Sequence, residues 1–273
     1  MAERGGQPRA GGARILVLGT GPAAVATALL LARLGHDVRV MGRARARSAM
    51  EGVSERAADG LRRLGCSRAL AVLDTSYERV SSWNGRVVRV NRECVVDRER
   101  FDSALIADLA LAGIPMRSAR VGAVRRGSGG VWLVDWRDGG AAGTDTADFL
   151  VEARGSAALR RVPDAERGPR ALAISRRFSG CRRGAPITVA ESFSGGWAWC
   201  ALAGDGGAIV QVVTDETALP AAAKRDLGRL HRRCLAALPL IRDTLGAGVP
   251  AEEAVQVRAI WPRLRGERIG ADW

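Results

Sequence analysis

The segment from Arg14 to Met41 leaves few folds open to this chain. Ile15-Leu16-Val17-Leu18 is a continuous apolar run of the kind that forms a strand buried on both faces of a parallel sheet. Gly19 ends the run, and Gly19-Thr20-Gly21-Pro22-Ala23-Ala24 fits the pattern G-x-G-x-x-G/A. Pro22 falls in the first helical turn, where its missing N–H costs nothing. Ala23 to Leu34 then reads as an Ala/Leu helix stopped by Gly35, and Val38-Arg39-Val40-Met41 as the next strand. Strand, glycine turn, helix and strand within about thirty residues make the opening βαβ unit of a doubly wound sheet. In that setting the glycines allow a tight turn and close backbone approach, and the free N–H groups at the helix start face a diphosphate. Gly19, Gly21, Pro22, Ala23 and Ala24 are therefore the expected cofactor-binding residues. A carboxylate should follow about twenty residues on to hold the ribose hydroxyls. That place reads Met41-Gly42-Arg43. Arg43, with Arg45, either favours a phosphorylated ribose, as in an NADP-dependent dehydrogenase, or is solvated loop charge.

Composition removes several other classes. The 273 residues, 47% hydrophobic, can bury a sizeable core in one or two interleaved domains. A formal charge of +13 would suit nucleic acid, yet Lys224 is the only lysine among 42 basic residues. The arginines are scattered and lack the interleaved aromatics of a nucleic-acid groove, so no nucleic-acid partner is expected. Cys66, Cys94, Cys181, Cys200 and Cys234 are odd in number and without CxxC or metal-ligand spacing, which reads as reduced thiols. With His36 and His231 as the only histidines, neither a metal site nor a Ser-His-Asp triad can be assembled, and structural or solvated roles are expected for both. No secretory signal and no run of membrane-spanning length is visible, so the expectation is a cytoplasmic protein without a membrane span.

Along the chain, residues 1–12 are rich in Gly, Arg and Pro and read as a disordered lead-in. Ser54 is the expected N-cap of a helix over Glu55 to Leu64, broken by Gly65. Trp83 to Val90 reads as a strand with a turn at Asn84-Gly85, and the spacing of Phe101, Leu105, Ile106 and Leu109 predicts a helix after Asp97. Strands follow at Val121 to Arg126, Val131 to Trp136 and Phe149 to Glu152. The second half alternates, with strands near Ile187 to Glu191, Trp197 to Leu202 and Ala208 to Thr214, a helix from about Pro220 to Leu238, and a last strand from Ala254 to Ile260.

Several of these segments, in this order, resemble the flavoprotein monooxygenases of the p-hydroxybenzoate hydroxylase type, with the flavin-dependent halogenases and geranylgeranyl reductases. Val96-Asp97-Arg98 followed by Phe101-Asp102 and Leu105 looks like the family's VDR…FD..L helix, which implies that Arg98 contacts the flavin. Val151-Glu152-Ala153-Arg154-Gly155 looks like the DA-x-G turn that returns the chain to the cofactor, with Glu152 in place of the usual aspartate and Gly155 at the final position. Gly196-Trp197-Ala198-Trp199 is similar to the GWxW segment of halogenases and geranylgeranyl reductases. Period-two geometry puts Trp197 and Trp199 on one strand face, either walling a flavin or substrate cavity or packing the core. Glu51-Gly52-Val53-Ser54-Glu55-Arg56 resembles the monooxygenases that modify a peptide tryptophan in quinohemoprotein amine dehydrogenase maturation.

The resemblance implies an α/β fold: a Rossmann-type FAD-binding domain with a ββα parallel sheet, at residues 13–80 and 91–165, interleaved with a mainly antiparallel substrate sheet at 81–90 and 166–264. Residues 265–273, with Glu267-Arg268-Ile269-Gly270, would begin a return to the FAD domain that stops at Trp273, as in a truncated chain. The implied activity is hydroxylation of an aromatic, indole- or tryptophan-like substrate, free or in a peptide, through a flavin hydroperoxide. FAD is then the cofactor, with NAD(P)H or a flavin reductase as the electron source. Halogenation by family analogy needs a lysine, and Lys224 matches no family position. A geranylgeranyl-type flavin reductase, an NADP-dependent dehydrogenase and an inactive fragment stay open as alternatives. No catalytic acid or base stands out.

Overall fold

The computed structural model describes residues 12–73, 75–155, 157, 166–217, 219–251, 254–261 and 263–264. The expected lead-in, apart from Gly12, and the segment from Glu267 to Trp273 lie outside these residues. The first half of the chain runs β1 (Arg14–Leu18), α1 (Pro22–Arg33), β2 (Asp37–Gly42), β3 (Met50–Ser54), α2 (Glu55–Arg63), α3 (Ser67–Ala71), β4 (Ser76–Trp83), β5 (Arg86–Asp97), α4 (Arg98–Leu111), β6 (Met116–Ser118), β7 (Arg120–Arg126), β8 (Trp132–Asp138), β9 (Ala141–Ala147) and β10 (Phe149–Glu152). The second half runs β11 (Glu166–Arg167), β12 (Ala171–Ser179), β13 (Ile187–Phe193), β14 (Gly196–Leu202), β15 (Ala208–Asp215), α5 (Ala221–Arg225), α6 (Leu227–Ala236), α7 (Pro239–Leu245), β16 (Val249–Pro250), β17 (Gln256–Ile260) and β18 (Arg263–Leu264).

The apolar run at the start does become the centre of a parallel sheet, ordered β10-β1-β2-β6. Its alternation builds two cores at once. Ile15 and Val17 point into a cluster with Val25, Ala28 and Leu29 of α1 and Phe101, Leu105 and Leu109 of α4. Leu16 and Leu18 point the other way, against Met41, Ala119, Val134, Ala147 and Leu150, where the antiparallel sheet β7-β8-β9 closes the opposite face. The result is the ββα layering that the sequence implies, because a strand apolar on both sides needs a cover on each.

The second layer system is a nine-stranded mixed sheet ordered β16-β12-β15-β14-β13-β4-β5-β3, with β17 also paired to β12. One face packs on α6 and α7 through Ile174, Val189, Cys200, Val212, Leu230 and Ile241. Two buried carboxylates fasten helices to their surroundings by accepting from free N-terminal amides. Glu191 of β13 takes the N–H groups of Leu240 and Ile241 at 3.1 and 2.8 Å, and Asp108 of α4 takes those of Arg68 and Ala69, both at 2.9 Å.

Some boundaries differ from the sequence reading, each for a local reason. Asn84-Gly85 is the turn between two strands, β4 and β5, in place of the single strand expected at 83–90; Asn84 takes positive φ there. The long helix expected from Pro220 to Leu238 is broken at Asp226, whose carboxylate accepts from the Arg229 N–H and starts α6, and Pro239 then opens α7. β9 escapes a hydrophobic reading because Ala141–Ala147 is mostly small and polar and pairs with β8 through its backbone. Ser54 does cap α2, accepting from the Ala57 N–H at 3.3 Å.

Candidate cofactor site

The turn between β1 and α1 is held open by close backbone approaches. Gly19 N–H donates to the Met41 carbonyl at 2.8 Å, and Ala153 N–H donates to the Leu18 carbonyl at 2.8 Å, so β2 and the end of β10 flank the turn. Gly19 has φ +127°, and a Cβ there would run into the Ala153 carbonyl oxygen. Only glycine fits, on conformational and steric grounds together. Gly21 is the N-cap of α1 with extended φ, no side chain caps it, and Pro22 follows at the first helical position. The first intrahelical bond runs from Val25 N–H to the Gly21 carbonyl at 3.1 Å. The N–H groups of Ala23 and Ala24 precede it, without helical acceptors.

This helix start opens on a groove of about 720 Å³ that Gly19, Gly21, Pro22, Arg43, Arg98 and Gly155 help to line. The remaining wall includes Ala23, Arg45, Asp102, Arg120 and Arg154. Five arginines thus face one acid. Asp102, at the buried side, is already engaged: Arg98 Nε and Nη2 donate to its two oxygens at 2.9 and 3.1 Å, and Arg45 Nε approaches at 3.3 Å. Arg98 also donates to Glu51 of β3 at 2.5 Å. Burial alone would lower the Arg98 pKa; hydrogen bonds and charges from Asp102 and Glu51 reverse this and hold it above its usual value. A Cβ added at Gly21 would touch only Arg98 Nη2, at 3.8 Å, so this guanidinium stands beside the uncapped helix start. Asp97 caps α4 by accepting from Glu99 N–H at 2.9 Å, and the Ser48 hydroxyl donates to it at 2.6 Å. Desolvation pushes the Asp97 carboxyl up, but Ser48, the Glu99 and Arg100 amides and the Arg177 charge outweigh it and leave the pKa lowered.

The other residues singled out by sequence fall as follows. Ala24 is fully buried on the inner face of α1, where the third small residue of the pattern brings helix and strand together. Arg43 is exposed at the end of β2; its carbonyl accepts from the Thr20 hydroxyl at 2.8 Å and its guanidinium lies 3.9 Å from Asp138. Glu152 turns onto its own loop, accepting from the Arg154 N–H at 3.0 Å and pairing with the Arg154 guanidinium. It shapes the turn that carries Ala153, Arg154 and Gly155 (φ +57°) to the groove wall. Trp197 and Trp199 share one face of β14, away from the groove lining. Trp199 is buried with Tyr77, Val95 and Ala201, its Nε1 donating to the buried Glu93 carboxylate at 3.1 Å, while Trp197 is exposed. Arg120 was invisible in the sequence as a groove residue, since only the crossing of β7 beside β2 brings it there.

His36 Nδ1 accepts from the Ala13 N–H at 3.2 Å, and His231 is fully buried with Nε2 3.2 Å from the Val210 carbonyl. The five cysteines are buried and none is in a disulfide among the described residues. No helix among the described residues is long and apolar enough to cross a membrane.

The donor set fits an anionic dinucleotide: uncapped amides beside Gly21, a glycine turn that admits close approach, and guanidinium groups in excess of acids. Comparison with solved structures places this arrangement. The peptidyl tryptophan dihydroxylase QhpG, essential for tryptophylquinone cofactor biogenesis, matches with 37% identity and a TM-score of 0.72 over 96% of this chain. In fold the chain is similar to this flavin-dependent hydroxylase and to flavin-dependent halogenases. Two further matches carry the same architecture: the flavin-dependent halogenase CmlS, at 22% identity and TM-score 0.76 over 93% of this chain, and the flavin-dependent brominase Bmp2, at 15% and 0.75 over 96%. The chain spans 59% of the length of QhpG, 51% of CmlS and 70% of Bmp2. No family model matches the chain, and no curated protein does.

Proposed function

We propose that this chain binds FAD in the groove beside Gly21 and serves a flavin-dependent monooxygenase reaction on an indole-like aromatic side chain carried by a peptide. The observation that carries the reading is the uncapped start of α1 opening on a groove lined by five arginines, with Arg98 beside Gly21. The identity to a peptidyl tryptophan dihydroxylase supports the choice of substrate class. When bound, the flavin supplies oxygen activation, with electrons from NAD(P)H or from a flavin reductase.

The chain's own residues bind and orient. The Ala23 and Ala24 amides, with the positive end of α1, hold the diphosphate. Arg98, fixed in direction by Asp102 and Glu51, adds a cation whose position does not depend on its own flexible stem. Gly155 and the Glu152-braced turn bring backbone to the far wall. Arg43, at the end of β2 where a carboxylate is usual, would offer a bound nucleotide charge attraction in place of acceptance from ribose hydroxyls. Trp197, exposed on β14 and outside the groove lining, offers an aromatic surface to a peptide substrate.

Titration of the purified chain with FAD, followed by quenching of flavin fluorescence and by the visible absorbance bands, tests the cofactor assignment. Oxygen uptake stimulated by a tryptophan peptide tests the reaction. A colourless protein that ignores FAD and retains NADP would replace this reading with the dehydrogenase, which Arg43 at the end of β2 would then explain.

A further inference from the structure

β5 is paired along both sides for only part of its length. β4 covers it from Arg86 to Cys94, whereas β3 pairs only from Glu93 to Asp97. Among the described residues, the edge from Arg86 to Arg92 therefore has no strand on its outer side, and every residue of that stretch is exposed.

A bare strand edge is normally blunted by polar side chains, proline or a bulge. This one keeps a bulge, where Val90 and Asn91 stand opposite Arg79, and carries arginines, yet three of its seven residues are exposed valines. Val87 and Val90 are 56% and 53% exposed, Val88 is 37% exposed, and Trp83 on the neighbouring strand is 50% exposed. β-branched side chains fit an extended neighbour on a pleated surface, and an aromatic ring beside them adds contact area at little entropic cost. The charge pattern selects the partner. Between Ser76 and Arg92 there are four arginines, 79, 86, 89 and 92; Arg79 faces the buried Glu93, Arg89 and Arg92 face Glu78 and Glu55 in exposed pairs that hold weakly, and Arg86 has no carboxylate partner among the described residues. Two copies of this edge would bring like charges face to face, which disfavours self-pairing. An extended acidic segment would be attracted.

The geometry points to the Arg86–Arg92 edge of β5 as a docking site for an extended acidic stretch of a partner polypeptide, added as an outer strand. Backbone hydrogen bonds to the open edge give affinity, and the exposed valines and arginines read side chains on the incoming strand. The same strand ends at Asp97, which caps the helix that begins with Arg98, so the docked segment lies at the far end of β5 from the groove. This surface goes beyond the flavin reading, and its test needs no flavin.

The experiment uses the full chain with a short fluorescent peptide of alternating glutamate and valine, a lysine-for-glutamate version, and a version with proline at alternate positions. Binding is read by anisotropy, and its place by hydrogen–deuterium exchange. The acidic peptide is expected to bind at least about tenfold more tightly than the lysine peptide and to protect amides within Arg86–Arg92. The proline peptide, lacking the donors a ladder requires, is expected not to bind. Arg86→Gln with Arg89→Gln, an exposed pair of changes that leaves the cores untouched, should weaken the acidic peptide by about tenfold with an unchanged circular dichroism spectrum. Equal binding of the acidic and lysine peptides, protection elsewhere, no binding at all, or a dimer already protecting this edge would each overturn the assignment.

Discussion

Replacing Arg98 by leucine tests the structural basis of the groove, because the consequence can be worked out from its partners. The change deletes two hydrogen bonds to Asp102 and one to Glu51. The side chain of Asp102 is only 6% exposed and would keep just Arg45, at 3.3 Å. Removing one member of a buried ion pair typically costs about 3–5 kcal/mol. The remaining Arg45 reduces that figure, and the Glu51 contact, 45% exposed, adds no more than about 1 kcal/mol. A loss of about 2–4 kcal/mol follows, measured as a shift in urea midpoint at constant m-value. The double variant Arg98→Leu/Asp102→Leu leaves no orphaned carboxylate, so its loss should fall short of the summed single losses by at least about 1 kcal/mol. A single-variant loss under about 1 kcal/mol, or strict additivity, would refute the account of a coupled buried pair. FAD affinity should fall in both variants, since neither retains the guanidinium.

Three further outcomes follow. Gly19→Ala forces a Cβ toward the Ala153 carbonyl at φ +127° and should destabilise the fold by about 1–3 kcal/mol even without cofactor, read by thermal melting. Burial pushes the Cys200 thiol up to about 12 and the Cys66 thiol up to about 11, so neither should react with a thiol reagent at pH 8 until the chain unfolds; prompt labelling of the native protein at either site would contradict their burial. Desolvation, with the Arg176 and Arg232 charges, lowers the His231 pKa below 6.5 despite its bond to Val210. The unfolded state therefore takes up a proton first as the pH falls, so stability present above pH 6.5 is lost below it by up to about 1.4 kcal/mol per pH unit until the folded pKa is passed; His231→Leu should flatten that part of the profile.

The sequence carried the parallel sheet because Ile15 to Leu18 are apolar on both faces and the glycine turn has one structural use between a strand and a helix. It carried the N-cap at Ser54 and the helix after Asp97 for the same local reasons. What it withheld depends on contacts remote in sequence. Arg120 reaches the groove only through the approach of β7 to β2, and Asp102 is readable as a helix residue but not as the anchor of Arg98 and Arg45. The two tryptophans of β14 show the limit plainly. Their period-two spacing fixes a shared face, yet burial separates them, because Trp199 meets Glu93 and Tyr77 at the sheet centre while Trp197 stands near the end of the strand. Small residues defeat hydrophobic patterning altogether, as β9 shows.

The amides at the start of α1 are the proposed seat of a dinucleotide diphosphate. Gly21 allows a direct test, since it lines the groove and an added Cβ there meets only the tip of Arg98. FAD binding should be measured for the native chain and for Gly21→Leu, alongside their melting temperatures. Saturable FAD binding by the native chain and its loss in the variant are expected, with melting temperatures that nearly coincide. Equal FAD affinity in the two proteins would contradict this placement.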